Sequence, residues 1–222
     1  MLTRSQKEAF YRLFSPLMRL NALIYRMGRV SRFGDAPRIH LGPGQRNYID
    51  GWVNIDANMF TGRCDLWMNL DHRLPFRTGS VQAAYSHHMI EHLAQLEFHI
   101  SEVFRCLKPG GVYRTGGPHG DNAIQKFVSG DASWFSDFPI ERKSIGGRFE
   151  NFIFCGGEHF TILTFSFLEE LLAAAGFVNI RECKVAQETG YPELFSDCLR
   201  FEEDSDYEVP HTLIVEAEKP HA

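Results

Sequence analysis

Three groups of residues carry most of the chemistry in this chain. The first is a glycine turn with an acid after it. Arg38-Ile39-His40-Leu41-Gly42-Pro43-Gly44 begins with the alternating apolar residues of a short strand and ends in two glycines. Glycine lets the backbone turn sharply and lets a ligand approach without meeting a Cβ. Amide N–H groups beyond such a turn can face an anion or a carboxylate. Asp56 closes the run Gly51-Trp52-Val53-Asn54-Ile55-Asp56, fourteen residues after Gly42, and can accept from two ribose hydroxyls. Turn and acid together describe a nucleotide-type cofactor site. They depart from the dinucleotide fingerprint, because the third glycine position is Asn47 and the acid comes sooner than the roughly 20 residues expected.

The second group is Ser86-His87-His88-Met89-Ile90-Glu91-His92-Leu93. His88 to His92 fits the H-x-x-E-H spacing, and on one helix face His88 and His92 could bind zinc. The third group is His119, with Asp121 two residues on, and His159 in Gly156-Gly157-Glu158-His159-Phe160. Histidine titrates near neutrality and suits removal of an acceptor's proton.

The elements that must position these residues follow from periodicity. Residues 5–27 read as a helix with Phe10, Leu13, Phe14, Leu17, Leu20, Ile24 and Met27 on one face and Arg12, Arg19 and Arg26 on another. It can dock on the domain and cover the site's mouth, lie on an anionic membrane, or pair with a second copy. Gly28 to Pro37 is a linker. Strands are expected at 38–41, 52–56, 64–68, 81–86, 112–115, 177–185 and 211–217, with a brief helix near 45–50. Longer helices are expected at 89–107, ended by Lys108-Pro109-Gly110-Gly111, and at 166–175, with Ser166 as cap and Gly176 as stop. Residues 116–162 read as irregular but rich in aromatics, and so as a substrate-facing insertion rather than disorder. Glu202 to Glu208 reads as a solvated acidic loop. Strands alternating with helices imply a three-layer α/β sandwich with a mostly parallel sheet. Gly42, Asp56, Asn69, His87 and Pro118 each follow a strand and would converge on its carboxyl edge.

At 222 residues the chain is long enough for one large domain. Its five cysteines are scattered without a C-x-x-C pair, which fits reduced thiols in the cytoplasm better than a disulfide or zinc framework. Net charge is −5, yet residues 1–34 hold seven Lys and Arg against one Glu. The body is therefore acidic, which argues against nucleic acid as a partner.

With these positions placed, the chain resembles the class I S-adenosylmethionine-dependent methyltransferases, in particular those around the "type 11" domain. The resemblance rests on Leu41–Gly44 with Gly51–Asp56, on Leu74-Pro75-Phe76, on Ser86–Leu93, on Arg105–Gly111 followed by Pro118, and on Ala174-Ala175-Gly176-Phe177. It covers about residues 38–185. It implies a seven-stranded Rossmann-like sheet with the last strand antiparallel. Residues 1–34 would then be the helix and linker, and 35–222 the methyltransferase domain. It implies that Leu41, Gly42, Pro43 and Gly44 cradle the methionine part of S-adenosyl-L-methionine and that Asp56 binds the ribose. Asn69 and Leu70 would flank the adenine, and His87 or His88 would line the pocket. Many relatives have Asp where Asn69 stands; Asn can still accept through its carbonyl. His159 and His119 are the expected catalytic residues, and no metal is expected, since the resemblance explains the histidines and their neighbours alike. The expected acceptor is a small molecule, such as a sugar or a secondary-metabolism intermediate, methylated on O or N. A protein or RNA substrate, or a cofactor-binding partner subunit without catalysis, are the alternatives.

Overall fold

Ile39, Leu41, Val53, Ile55, Val81 and Ala84 are all fully buried, as residues of parallel strands covered on both faces must be. The computed structural model describes residues 4–28, 36–58 and 62–221. Most of the expected linker lies outside them. One sheet holds β1 (Arg38–Leu41), β2 (Val53–Asp56), β3 (Leu66–Trp67), β4 (Val81–His87), β5 (Leu107–Pro118), β6 (Val178–Cys183) and β7 (Thr212–Glu218). Their order is β3-β2-β1-β4-β5-β7-β6. β1 to β5 run parallel, and β7 is antiparallel to both of its neighbours. The expected α/β architecture is the one found. The order reverses between β1 and β4, which opens a crevice at their carboxyl ends.

Helices close the two faces. α1 (Arg4–Gly28) lies against β3, α2 (Leu96–Cys106) buries Leu96, Ile100, Val103 and Cys106, and α5 (Phe165–Ala175) buries Leu168 and Leu172. Between them come α3 (Gly120–Ser129) and α4 (Ile145–Phe154), and α6 (Pro192–Phe195) follows β6. No helix among the described residues is long and apolar enough to cross a membrane.

Several local expectations change. Residues 45–50 form turns and irregular backbone, not a helix. The helix expected at 89–107 is broken: a 3-10 turn spans Ile90–His92, Leu93 is extended at ψ 129°, and only Leu96–Cys106 is α-helical. Lys108 to Gly111 lie inside a long β5 rather than ending a helix. The insertion is largely helical. α3 and α4 enclose Ala123, Trp134, Phe135 and Ile153, with Ile145, Phe149 and Phe152 packed on them. The cap of α5 is Thr164, whose hydroxyl accepts from Phe167 N. α1 docks by Met18, Ala22 and Tyr25, with Phe14 edge-on to Trp67, while Leu13, Leu17, Leu20, Ile24 and Met27 stay exposed. The docking stripe is chosen by Trp67 and Phe76: Asn21 Nδ2 donates to the Trp67 carbonyl at 2.9 Å, and Tyr25 packs on Phe76.

The acidic loop is not simply solvated. Glu202 is fully buried and accepts from Arg114 Nε at 2.7 Å and Nη2 at 2.6 Å. Arg114 Nη1 donates to Glu216 at 2.7 Å. A guanidinium at the centre of a sheet demands such partners, because a lone buried charge costs several kcal/mol.

Candidate active site

The turn after β1 is built around a backbone that only glycine tolerates well. Gly42 has φ +76°, and a Cβ there would run into the side chain of Met89. Gly44 follows at φ +59° and its N–H donates to Asp56 Oδ2 at 2.8 Å. Asn58 N–H donates to Asp56 Oδ1 at 2.7 Å. One carboxylate thus ties the turn after β1 to the loop after β2. Burial pushes its pKa up, the Asn58 and Gly44 amides pull against that, and the net direction is upward. Each carboxylate oxygen has a second lone pair for a hydroxyl donor.

The remaining cofactor candidates are arranged less as expected. Leu41 and Leu70 are buried in the main core, so both act as supports. The Pro43 carbonyl accepts from Asn47 N–H, closing the turn. Asn69 Oδ1, the oxygen assigned to the adenine, accepts from Asp71 N–H at 2.9 Å in a turn of its own. His87 is stacked on Tyr85, and burial drives its pKa far down, so it is a neutral ring. Its Nε2 has no partner among the described residues.

His88 adopts φ +50°, which turns the chain out of β4 and breaks the helix face that the H-x-x-E-H spacing suggested. Its Nδ1 donates to Glu91 Oε1 at 3.3 Å, and its Nε2 meets Thr212 Oγ1 at 3.0 Å. Glu91 is fully buried. Burial raises its pKa, but the bond from His88 and the charges of His88 and His92 outweigh that, and the carboxyl is held below its usual range. Beside it lie His92 and His159, ring to ring at 4.7 Å. The backbone locks the group together, since Phe160 N–H donates to the Glu91 carbonyl at 2.8 Å. Burial lowers the pKa of His159, with Glu91 pulling the other way. A neutral imidazole able to accept a proton is the result.

His119 is not part of that group. It caps α3: its Nδ1 accepts from Asn122 N–H at 3.4 Å, and its Nε2 lies 3.4 Å from Glu182. Asp121 is also committed, accepting from Phe165 N–H at 2.8 Å. The structure therefore separates the two histidines that the sequence reading paired. It also brings in two residues that reading did not choose. Glu91 and His92 stood inside the quoted motif, but nothing local linked them to His159. Tyr11 of α1 was missed as well. Burial raises its pKa to about 12, and Asp56, Asp71 and Glu158 add to the rise. α1 thus stands within electrostatic reach of both the cofactor turn and the insertion.

The methyltransferase-domain family matches residues 58–115. No curated protein matches the sequence. Among solved structures, similarity extends to a Thermotoga maritima S-adenosylmethionine-dependent methyltransferase described as a possible histamine N-methyltransferase. It is 14% identical, with 97% of this chain and 96% of that one covered at a TM-score of 0.52. An Archaeoglobus fulgidus S-adenosylmethionine-dependent methyltransferase is 13% identical, covering 95% and 100%, at 0.51. Haemonchus contortus phosphoethanolamine N-methyltransferase 2, solved with S-adenosyl-L-methionine, is 14% identical, covering 89% of this chain and 53% of that one, at 0.52. At such identities the likeness is one of fold. With this strand order, this carboxyl-edge turn and a methyltransferase-domain match over residues 58–115, the chain has the class I methyltransferase fold. It is an enzyme of the S-adenosylmethionine-dependent kind, and S-adenosyl-L-methionine is its cofactor.

Proposed function

We propose that this chain methylates a hydroxyl of a small molecule. The observation that carries the reading is the Glu91–His92–His159 cluster, with His159 kept neutral by burial beside an anionic carboxylate. A hydroxyl holds its proton tightly at neutral pH, whereas an amine that binds neutral would need no such base. Two features favour a small acceptor: Tyr11 of α1 is buried within electrostatic reach of Asp56 and of Glu158 in the insertion, and the chain's body carries a net negative charge.

The chain's residues fit the cofactor. In this reading the Gly42 and Gly44 backbone would face the methionine part of S-adenosyl-L-methionine, the second lone pairs of Asp56 would take the ribose hydroxyls, and Asn69, His87 and His88 would line the rest of the pocket, with Leu41 and Leu70 behind them. S-adenosylmethionine held there would supply an electrophilic methyl carbon for the acceptor oxygen, with the electron pair of the broken C–S bond left on sulfur. His159 takes the proton at Nε2. Glu91 stabilises the cation so formed, and His88 orients Glu91.

Single-turnover methyl transfer with a panel of hydroxyl and amine acceptors tests this. His159→Ala should lose roughly 100- to 10,000-fold in rate, with S-adenosylhomocysteine affinity nearly unchanged. Equal rates for variant and wild type across about pH 6 to 9 would mean that the site works by positioning alone.

A further inference from the structure

Glu91, His92 and His159 each offer one ligand atom, and those atoms lie within 4.8 Å of one another. Both histidines are held as metal-bound histidines are. His92 Nδ1 donates to the Glu158 carbonyl at 3.0 Å, and His159 Nδ1 to the Ile153 carbonyl at 2.8 Å. A carbonyl oxygen only accepts, so each Nδ1 carries the proton and each Nε2 keeps its lone pair. His92 Nε2 lies 3.9 Å from Glu91 Oε1.

Glu91 supplies an independent observation. Its side chain is fully buried, and Oε2 has no hydrogen-bond partner among the described residues. Room has been left for it: a Cβ on Gly117 would stand 2.9 Å from that oxygen. No Lys or Arg pairs with Glu91 among the described residues, and its neighbours are His88 and His92. A buried carboxylate oxygen without a hydrogen-bond partner, on a residue beside two histidines, is a donor atom left for a ligand.

We infer that Glu91, His92 and His159 bind a divalent transition-metal ion such as zinc. Two imidazoles and one carboxylate suit that class of ion over magnesium or calcium. Metal–ligand bonds of about 2.0–2.2 Å put ligand atoms roughly 3–3.5 Å apart. Binding would draw the three atoms together from within 4.8 Å of one another. His88, through its bond to Glu91, orients a ligand without being one, unlike the His88–His92 pair that the H-x-x-E-H spacing suggested. Three protein ligands leave a position open. The inference rests on the methyl-transfer reading for what fills it: an oxygen of the acceptor, whose proton the ion makes easier to lose. In the ion-loaded protein that proton passes to water, the O–C bond forms and the C–S bond breaks as before, and His159 holds the ion; its role as base belongs to the protein without an ion.

The test uses the full chain stripped with a chelator. Zn2+ is titrated by calorimetry, Co2+ by visible absorption, and S-adenosylhomocysteine by calorimetry in parallel. One ion should bind per chain. Glu91→Gln and His159→Ala should weaken it by more than about 100-fold, while each keeps its S-adenosylhomocysteine affinity and hence its fold; His88→Ala should weaken it by roughly 10- to 100-fold. A wild-type protein that binds S-adenosylhomocysteine but no ion overturns the metal site and leaves the methyl-transfer reading standing. Ion binding without S-adenosylhomocysteine binding does the reverse. Equal ion affinity in all the variants places the ion elsewhere and overturns the assignment.

Discussion

On the cofactor side of the crevice, from Leu41 to Asp56, the polar groups are mainly main-chain amides ordered by one carboxylate. On the side we propose for the acceptor, from Glu91 to His159, they are side chains ordered by main-chain carbonyls. Gly44 and Asp56 are 12 residues apart in the chain, whereas His92 and the Glu158 carbonyl are 66 apart. The first half is a local device, set by a turn and the strand beside it. The second exists only when the insertion has packed. An acceptor pocket built this way can change its side chains without disturbing the cofactor turn.

The largest effect that should separate the halves is at Asp56. Asp56→Ala removes the acceptor for two turn amides and for the ribose, and should weaken S-adenosylhomocysteine binding by about 2–4 kcal/mol. Calorimetry reads this directly. Ion binding at the acceptor side should stay as it was; a parallel loss there would mean that the halves are one cooperative unit.

Acid should separate them with opposite signs. His40, in β1 beneath the turn, is buried and bonded to Asn54, and burial lowers its pKa to about 4. The unfolded chain therefore takes up a proton that the folded one refuses. Stability from this site is full above pH 6.5 and falls as the pH drops toward 4, by roughly 2–3 kcal/mol. His211, stacked on Trp134 of the insertion, behaves oppositely. Burial lowers its pKa, but the bond to Asp204 and the Trp134 carbonyl outweigh that, and the net shift is upward. Its contribution is full below pH 6.5 and is lost as the pH rises through the raised value. Hydrogen exchange at pH 5 should show β1 amides loosened and the Trp134 region retained.

The smallest effect concerns His119. As a helix cap it should cost about 1 kcal/mol of stability when replaced by Ala, most of which His119→Asn restores. Thermal unfolding measures that, and methyl-transfer rates should not move. A rate loss on the scale of His159→Ala would extend the acceptor side to the end of β5.

What the sequence revealed follows the same division. Strands β1, β2 and β4 are short apolar runs with turn residues beside them, so their places and the Gly42–Asp56 pairing were legible. The break at His88–Leu93 was not, because its apolar spacing fits a helix and only the contacts of Met89 with the turn and Glu91 with His88 override it. The insertion hid two helices for a different reason. α4 opens with Gly146-Gly147, poor helix formers, and is held by the Ser144 cap and the shared aromatic cluster. Glu202 looked like one acid among many. Its partner is in β5, 88 residues earlier, and no local pattern announces it.

That pairing also fixes an order of assembly. Arg114 is fully buried in the middle of the sheet, with partners 88 and 102 residues further along the chain. Until Glu202 and Glu216 arrive, closing the sheet would trap a lone cation at a cost of about 3–5 kcal/mol. A growing or shortened chain that lacks them has every residue of the cofactor turn and still cannot shut the sheet that carries it. The site near the beginning of the domain waits on the last strand made.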